Sequence, residues 1–194
     1  MLSRTILLTA TALASATAVV GLGSTSAQAA TDAVHVYQFV EAHHSGKDLA
    51  VLNASTAPGQ PIVQFTRNSG FNQQWEIITL PSTPAPGMAP DRQIKNRLSG
   101  LCLDVELNSL SAGAKVVQNP CSTSDPAQRW IVPKVAEIFS TSGGFRHYVN
   151  KNSGLAMDVA GGSTANNAAI IQFPSHGGVT NQLFQQVFAG ASSD

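Results

Sequence analysis

The chain carries few charges for its length. Of its 194 residues only 11% are charged, and 11 basic side chains balance 11 acidic ones. An average soluble domain has about 25% charged residues. Glycine and the small, uncharged polar residues take their place, and the basic residues form no stripe. We therefore expect no nucleic acid as a partner.

Long apolar runs are also missing, apart from one near the start. Arg4 is followed by the apolar stretch Ile6–Val20 and then by the small-x-small pattern of Ala27–Ala29. This order is typical of an export signal, and it predicts a signal peptide over residues 1–30. The alternative, a retained membrane anchor, needs a longer run. Residues 31–194 are then predicted to be the mature domain, secreted and extracellular, without membrane insertion.

Cysteine is nearly absent. The chain has two, Cys102 and Cys121. In an exported protein an even count of cysteines favours a disulfide, and we predict that these two are bonded. There is no second cysteine pair nearby and no histidine at ligand spacing, so the pair is a poor zinc site. We expect no metal and no cofactor.

No helical period is sustained over three turns. Instead, short runs rich in β-branched and aromatic residues alternate with turn-formers such as Asn68-Ser69-Gly70, which predicts an all-β barrel or sandwich. The proline-rich stretch Pro81–Pro90 is predicted to be a surface loop, because proline cannot donate to a sheet. The predicted strands are Val34–Val40, Pro61–Phe65, Trp75–Leu80, Lys115–Gln118, Trp130–Val135, Ala169–Phe173 and Phe184–Phe188.

What the chain does have is one pattern that occurs three times, with its Ser-Gly pairs spaced 54 residues apart. A Ser-Gly pair opens each unit and a Gln-x-aromatic triplet closes it, at about residues 35–80, 91–135 and 145–188. Units this short cannot each bury a core, so they must share one. A propeller usually needs four blades or more, whereas a closed barrel with a threefold cap leaves no strand edges. We therefore predict a β-trefoil with pseudo-threefold symmetry.

The order of the motifs carries a family resemblance. Ser-Gly-x-x-Leu-Asp-Val, then Val-Gln, then Gln-x-Trp resembles the ricin-type β-trefoil lectins. The pattern appears as SGLCLDV…VVQNPC…AQRW and SGLAMDV…IIQF…NQLF, and in decayed form as SGKDLAV…IVQF…NQQW, over about residues 35–188. The resemblance implies a carbohydrate-binding module with up to three shallow sites, no metal and no catalysis. It also places Cys102 and Cys121 where this family often bridges a repeat.

A sugar site of this kind needs three side-chain roles. A carboxylate accepts from adjacent hydroxyls, a flat ring covers the apolar C–H face, and an amide both donates and accepts. By resemblance, these roles fall on the Asp of Leu-Asp-Val, an aromatic residue 15 positions later, and the Asn before Gln-x-Trp. The third repeat has all three, in Asp158, Phe173 and Asn181. The plainer alternatives are that Asp158 only caps the turn into Gly161-Gly162, and that His176 is an exposed loop residue rather than a wall of the site.

The second repeat is incomplete. It keeps Asp104 but has Asn119 at the ring position and Ala127 at the amide position. Asp104 and Asn119 remain candidate carbohydrate-binding residues, and the nearby Asp125 is a candidate substitute for the lost amide. We expect this site to be weaker than the one in the third repeat.

The first repeat is incomplete in a different way. It keeps Phe65 and Asn72 but has Ala50 at the acidic position. Asp48 lies two residues earlier, and residues i and i+2 share a face on a regular strand. Asp48 is therefore a candidate replacement, although this segment is expected to be a turn.

The Gln-x-aromatic triplets are interpreted as structural. Their aromatic residues occupy equivalent positions and are assigned to the shared core: Trp75, Trp130 and Phe184. Their first glutamines are expected to be satisfied internally and to stabilise the adjacent turn: Gln73, Gln128 and Gln182.

These features predict a secreted lectin that binds glycan or polysaccharide sugars non-covalently. No Gly-x-Ser-x-Gly, His-Glu-x-x-His or Walker motif is present, so no enzyme is predicted. By resemblance, galactosides and plant-type polysaccharides are candidate ligands, and a monomer is expected. The alternative from another class is a protein-binding β-trefoil, such as an inhibitor of secreted hydrolases.

Overall fold

The computed structural model describes residues 33–81, 89–132 and 144–193, which belong to one compact unit. The predicted signal peptide and most of the Pro81–Pro90 loop lie outside these ranges. The regular elements within them are β-strands and single turns of 3-10 helix. None of the described helices is long or apolar enough to cross a membrane.

The described residues form twelve antiparallel strands, four in each repeat. The first repeat contains β1 Val34–Ala42, β2 Asp48–Val51, β3 Gln60–Phe65 and β4 Trp75–Thr79. The second contains β5 Asp91–Asn96, β6 Cys102–Val105, β7 Val116–Asn119 and β8 Trp130–Ile131. The third contains β9 Val149–Asn150, β10 Ala156–Val159, β11 Ile170–Phe173 and β12 Phe184–Ser193.

The first and fourth strands of the repeats build a barrel. β1 pairs with β4 and with β12, β4 with β5, β5 with β8, and β8 with β9. A bridge between Arg146 and Phe184 joins the third repeat to β12 and completes the ring. Because each of these described barrel strands has a neighbour on both sides, closure leaves no free edge among them.

The second and third strands form three hairpins that cap this barrel. The hairpins are β2–β3, β6–β7 and β10–β11. β3 also pairs with β7, and single bridges join Val63 to Ala169 and Lys115 to Ile171, so each hairpin touches the other two. A barrel capped by a triangle of hairpins is a β-trefoil, as the repeats predicted.

The second strand of each repeat was not predicted. All four residues of β2, β6 and β10 are buried on both faces. Such strands lack the apolar–polar alternation that reveals a half-exposed strand in a sequence. The expectation that Asp48 lies in a turn is therefore wrong, because Asp48 opens β2. The polar strand Asp91–Asn96 was missed as well.

The core lies where the three repeats meet. Trp75, Trp130 and Phe184 are fully buried there. The Trp75 indole Nε1 donates to the Leu49 carbonyl at 3.0 Å, and that of Trp130 donates to the Leu103 carbonyl at 3.3 Å. Each tryptophan is therefore anchored to the second strand of its own repeat, next to the position of the candidate acid, which is Ala50 in repeat one and Asp104 in repeat two.

A threefold set of hydrogen bonds ties the repeats to one another. Each Val-Gln motif, which is Ile-Gln in repeat three, contributes a buried glutamine whose Oε1 accepts from the serine of the Ser-Gly pair in its own repeat, at 2.7 to 2.8 Å. Its Nε2 donates to two backbone carbonyls of the preceding repeat. For the glutamine of repeat one, those two carbonyls belong to repeat three. The three glutamines are Gln64, Gln118 and Gln172.

The predicted disulfide is confirmed. Cys102 and Cys121 are bonded, with their Cα atoms 5.0 Å apart. The bond joins the start of β6 to the turn that follows β7. Repeat one links the equivalent positions by an ion pair, in which Arg67 Nε donates to the buried Asp48 Oδ2 at 2.7 Å.

Candidate functional site

The third repeat contains a shallow cavity of about 220 Å³ beside its hairpin. Its walls bring together Asp158, Phe173 and Asn181, the three side chains that the sequence singled out. β10 supplies the carboxylate, the last residue of β11 supplies the ring, and the 3-10 turn before β12 supplies the amide. His176 also lines this cavity, and its ring centroid lies 5.8 Å from that of Phe173.

The carboxylate is held by two amides. Asn181 Nδ2 donates to Asp158 Oδ1 at 2.9 Å, and Gln182 Nε2 donates to Asp158 Oδ2 at 2.8 Å. Asp158 therefore does not cap the turn into Gly161 as the plainer interpretation proposed, since that turn has no side-chain cap. A carboxylate offers about four lone-pair positions, so roughly two remain for a ligand.

Burial dominates the electrostatics of this acid. Asp158 is only 5% exposed, and burial raises its pKa above the ordinary value. The hydrogen bonds from Gln182 and Asn181 oppose that shift, as do the nearby His44 and His176. Each ligand hydroxyl that donates to the carboxylate would favour the ionised form further.

Two glycines leave the mouth of this cavity open. Gly161 and Gly162 have φ of 64° and 59°, a region that side chains disfavour. The equivalent turns of repeats one and two have non-glycine residues at positive φ, including Asn53 and Leu107. The Leu107 side chain is 94% exposed above its turn. Repeat three has no side chain at these positions. The Gly161-Gly162 pair was visible in the sequence, but the pattern of acid, ring and amide does not include it.

The second repeat arranges its residues differently. Asn119 turns inward, and its Nδ2 donates to Asp104 Oδ2 at 2.9 Å, where Gln128 Nε2 also donates at 3.2 Å. Asp104 Oδ1 is buried without a hydrogen-bond partner in the described residues. Asp125 caps the 3-10 turn before β8, where its carboxylate accepts from the backbone N–H of Ala127 at 2.9 Å.

The first repeat has a cavity of about 260 Å³ without a carboxylate. Ala50, Phe65 and Asn72 line it, together with Asn167 from the third repeat. Asp48 does not substitute for the missing acid. Its side chain is fully buried against Arg67, whose Nε and Nη2 donate to it at 2.7 and 2.8 Å.

The motif glutamines are satisfied within their own turns. Gln182 Oε1 accepts from the His176 backbone N–H at 3.0 Å, and its Nε2 also donates to the Pro174 carbonyl. Gln73 and Gln128 make the corresponding bonds in their repeats. In repeats two and three the same amide also contacts the acid, so this residue joins the turn to the candidate site. The described residues contain no group of three or more His, Cys, Asp or Glu side chains that could hold a metal ion.

Solved structures with this fold include both designed and natural proteins. A designed threefold-symmetric protein, ThreeFoil, is 36% identical with a TM-score of 0.67, and the match covers 78% of this chain and 97% of that one. An exo-β-1,3-galactanase from Clostridium thermocellum is 28% identical with a TM-score of 0.67, over 79% of this chain and 30% of that one. The earthworm R-type lectin C-half in complex with GalNAc is 20% identical with a TM-score of 0.55, over 79% of this chain and 98% of that one.

Comparison by sequence gives the family. A search of curated proteins finds no match. The sequence model of the ricin-type β-trefoil lectin domain-like family matches residues 72–173, which is more than half of the chain. That range contains the complete second repeat and the acid and ring of the third. With the motifs and the fold in agreement, the chain belongs to the ricin-type β-trefoil lectin-like family.

Proposed function

We propose that this protein is a secreted lectin that binds a sugar non-covalently, mainly through the cavity of the third repeat. Membership of a lectin-like family supports carbohydrate binding in general. The choice of the third repeat depends on one observation: a single cavity there is lined by Asp158, Phe173 and Asn181 together. The first repeat lacks the acid, and the second directs Asn119 onto its acid.

Each side chain has a separate part in the proposed complex. The remaining lone pairs of Asp158 accept hydrogen bonds from two adjacent sugar hydroxyls. Asn181 already donates through Nδ2 to Asp158, which leaves its Oδ1 to accept from a third hydroxyl. Phe173 is 37% exposed, and its ring covers an apolar C–H face of the sugar. Gln182 contributes indirectly, by holding the carboxylate in place.

The binding is proposed to be simple association, without turnover, by an extracellular monomer. One shallow site is weak by itself, so useful affinity would require several copies or a polymeric ligand. Galactosides are the first class to test, because one structural relative is an exo-β-1,3-galactanase and another was solved with GalNAc. This chain spans only 30% of the galactanase, so that enzyme's activity is not carried over.

A glycan-array screen of the purified protein, followed by calorimetry with the best ligand, tests the proposal. The key variants are Asp158→Asn and Phe173→Ala. Asparagine is preferred to alanine at 158 because it keeps the shape of the side chain and an acceptor oxygen for one of the two amides, while it removes the charge. The matched controls are Asp104→Asn in repeat two and Phe65→Ala in repeat one, which alter the same roles where the constellation is incomplete.

We expect each third-repeat variant to weaken binding by about tenfold or more, since a charge-assisted hydrogen bond or a stacked ring contributes on the order of 1 to 3 kcal/mol. The controls should bind as the wild type does. If the controls lose binding and the third-repeat variants keep it, the site assignment is wrong. If the folded wild type binds no glycan, the lectin function itself fails and a protein ligand becomes the better hypothesis.

A further inference from the structure

A further cavity lies around the pseudo-threefold axis, apart from the cavities of the first and third repeats. It has a volume of about 240 Å³ and is lined by barrel residues; we refer to it as the axial cavity. Its walls are Gln38, Arg92, Arg146, Ile77, Val132 and Gln186.

These six residues are two sets of repeat-equivalent positions. Gln38 pairs with Trp75, Arg92 with Trp130, and Arg146 with Phe184, so the three occupy the same place opposite the core aromatic residue of their repeats. Ile77, Val132 and Gln186 each lie two residues after that aromatic residue. A cavity lined by one member of each set from every repeat must surround the axis that relates the repeats.

Two of the three equivalent positions carry a positive charge. No ion pair among the described residues uses Arg92 or Arg146. Arg92 Nη1 donates to Thr79 Oγ1, a neutral partner, and the Arg146 side chain makes no hydrogen bond with the residues that the structure describes. The described lining contains no carboxylate. The protein as a whole has no net charge, so this concentration of positive charge is local.

The two guanidinium groups act on the same region. Both contribute to the electrostatics of the Tyr148 hydroxyl, which burial nevertheless keeps protonated by raising its pKa to about 12. Gln186, which lines the cavity, donates through Nε2 to that hydroxyl at 2.9 Å. This hydrogen bond holds the Gln186 side chain on one wall of the cavity, and both arginines line the same cavity.

We propose that the axial cavity binds an oxyanion between Arg92 and Arg146, with the amide N–H groups of Gln38 and Gln186 as further donors. Guanidinium groups match the geometry of carboxylate, sulfate and phosphate oxygens, which they bind with paired N–H donors. The cavity is smaller than most organic-ligand pockets, which favours a small ion or one anionic group of a larger molecule. The anion is therefore either free or attached to a glycan, as a uronate or a sulfate ester. The proposal does not depend on sugar binding in the third repeat.

The test is a titration of the purified protein with sodium sulfate against sodium chloride at equal ionic strength. Binding is followed by calorimetry and by the NMR signals of the arginine Nε–H groups. The test variants are Arg146→Gln and the double variant Arg92→Gln with Arg146→Gln. Glutamine is already present at the equivalent position 38, so the barrel accepts it there. The control is the double variant Lys47→Gln with Lys115→Gln, which removes the same charge outside the cavity.

We expect sulfate but not chloride to shift the Arg92 and Arg146 signals, and Arg146→Gln to weaken sulfate binding by about tenfold. The arginine double variant should abolish binding, and the lysine double variant should retain it. An uronate-bearing oligosaccharide beside its neutral counterpart distinguishes an attached anion from a free one. Absence of a sulfate-specific shift, or equal loss in both double variants with the folds intact by circular dichroism, would overturn the proposal.

Discussion

Asp48 and Arg67 are joined by an ion pair at the two positions that the disulfide bridges in repeat two. Arg67 donates to both carboxylate oxygens, at 2.7 and 2.8 Å, and the Asp48 side chain is completely buried. Burial raises the pKa of Asp48, against the opposing effect of Arg67. The main role of the ion pair is therefore to offset the cost of burying the Asp48 carboxylate.

The first prediction follows from that pair. Arg67→Ser should lower the free energy of unfolding by about 3 kcal/mol, the lower end for a buried pair, because the Arg67 side chain is 36% exposed. Adding Asp48→Ala should recover most of the loss, since it removes the uncompensated charge. The double variant reproduces the alanine and serine that repeat three has at these positions, Ala156 and Ser175. Urea denaturation of the three proteins measures both effects, and a double variant that is less stable than Arg67→Ser would contradict the argument.

The second prediction concerns the disulfide. Replacing Cys102 by Ala and Cys121 by Ser should lower the free energy of unfolding by about 3 kcal/mol, as loop-closure entropy predicts for a loop of this size. The fold should remain, because repeat three forms the same hairpin without a covalent link. Denaturation of the wild type with and without reductant provides the check. Reduction should have no effect on the variant, and sugar binding should be unchanged in both.

The third prediction concerns the link between the core turn and the acid of the candidate site. Gln182→Met removes the donor at 2.8 Å from Asp158 and leaves buried polar groups unpaired. We expect it to lower the free energy of unfolding by about 1 to 3 kcal/mol and to weaken sugar binding. Gln73→Met is the matched control, because repeat one has no acid. It should cost similar stability and leave binding unchanged, as measured by denaturation and calorimetry on the same samples.

Much of this architecture could be predicted because the repeat spacing is a global signal. The aromatic residues of the three Gln-x-aromatic triplets were correctly assigned to the shared core. The threefold repeat of the whole pattern correctly predicted the β-trefoil. The second strands could not be predicted, because full burial removes the alternation on which a strand prediction depends. β6 and β10 both carry candidate acids, so the strands that position the site were the least visible in the sequence.

The side-chain contacts within the sites could not be predicted, because they depend on packing and the spacing of residues along the sequence does not show it. Asp48 and Ala50 are two residues apart, yet Asp48 is committed to Arg67 and does not reach the cavity that Ala50 lines. Asn119 was considered at the ring position, but only its contact with Asp104 shows that it turns inward. The axial arginines are equivalent in the repeat register, but the closed barrel was needed to show that they face one cavity.

The last prediction concerns pH. Burial raises the pKa of Asp158 above its ordinary value of 3.8. The ionised carboxylate is the proposed acceptor, so sugar affinity should be fully present above this raised pKa and should be lost as the pH falls through it. The midpoint should therefore lie above 3.8, and binding near the midpoint should be accompanied by proton release, because the complex favours the ionised form.

Calorimetry in two buffers with different ionisation enthalpies measures that proton release directly. His44 and His176 lower the pKa of Asp158, but burial has the larger effect, so the net shift of this pKa stays upward. Asp158→Asn is the control: its weaker binding should show no comparable dependence on pH while circular dichroism reports an intact fold. Affinity that rises on acidification would mean that a protonated carboxyl group donates to the sugar, which would reverse the role assigned to Asp158.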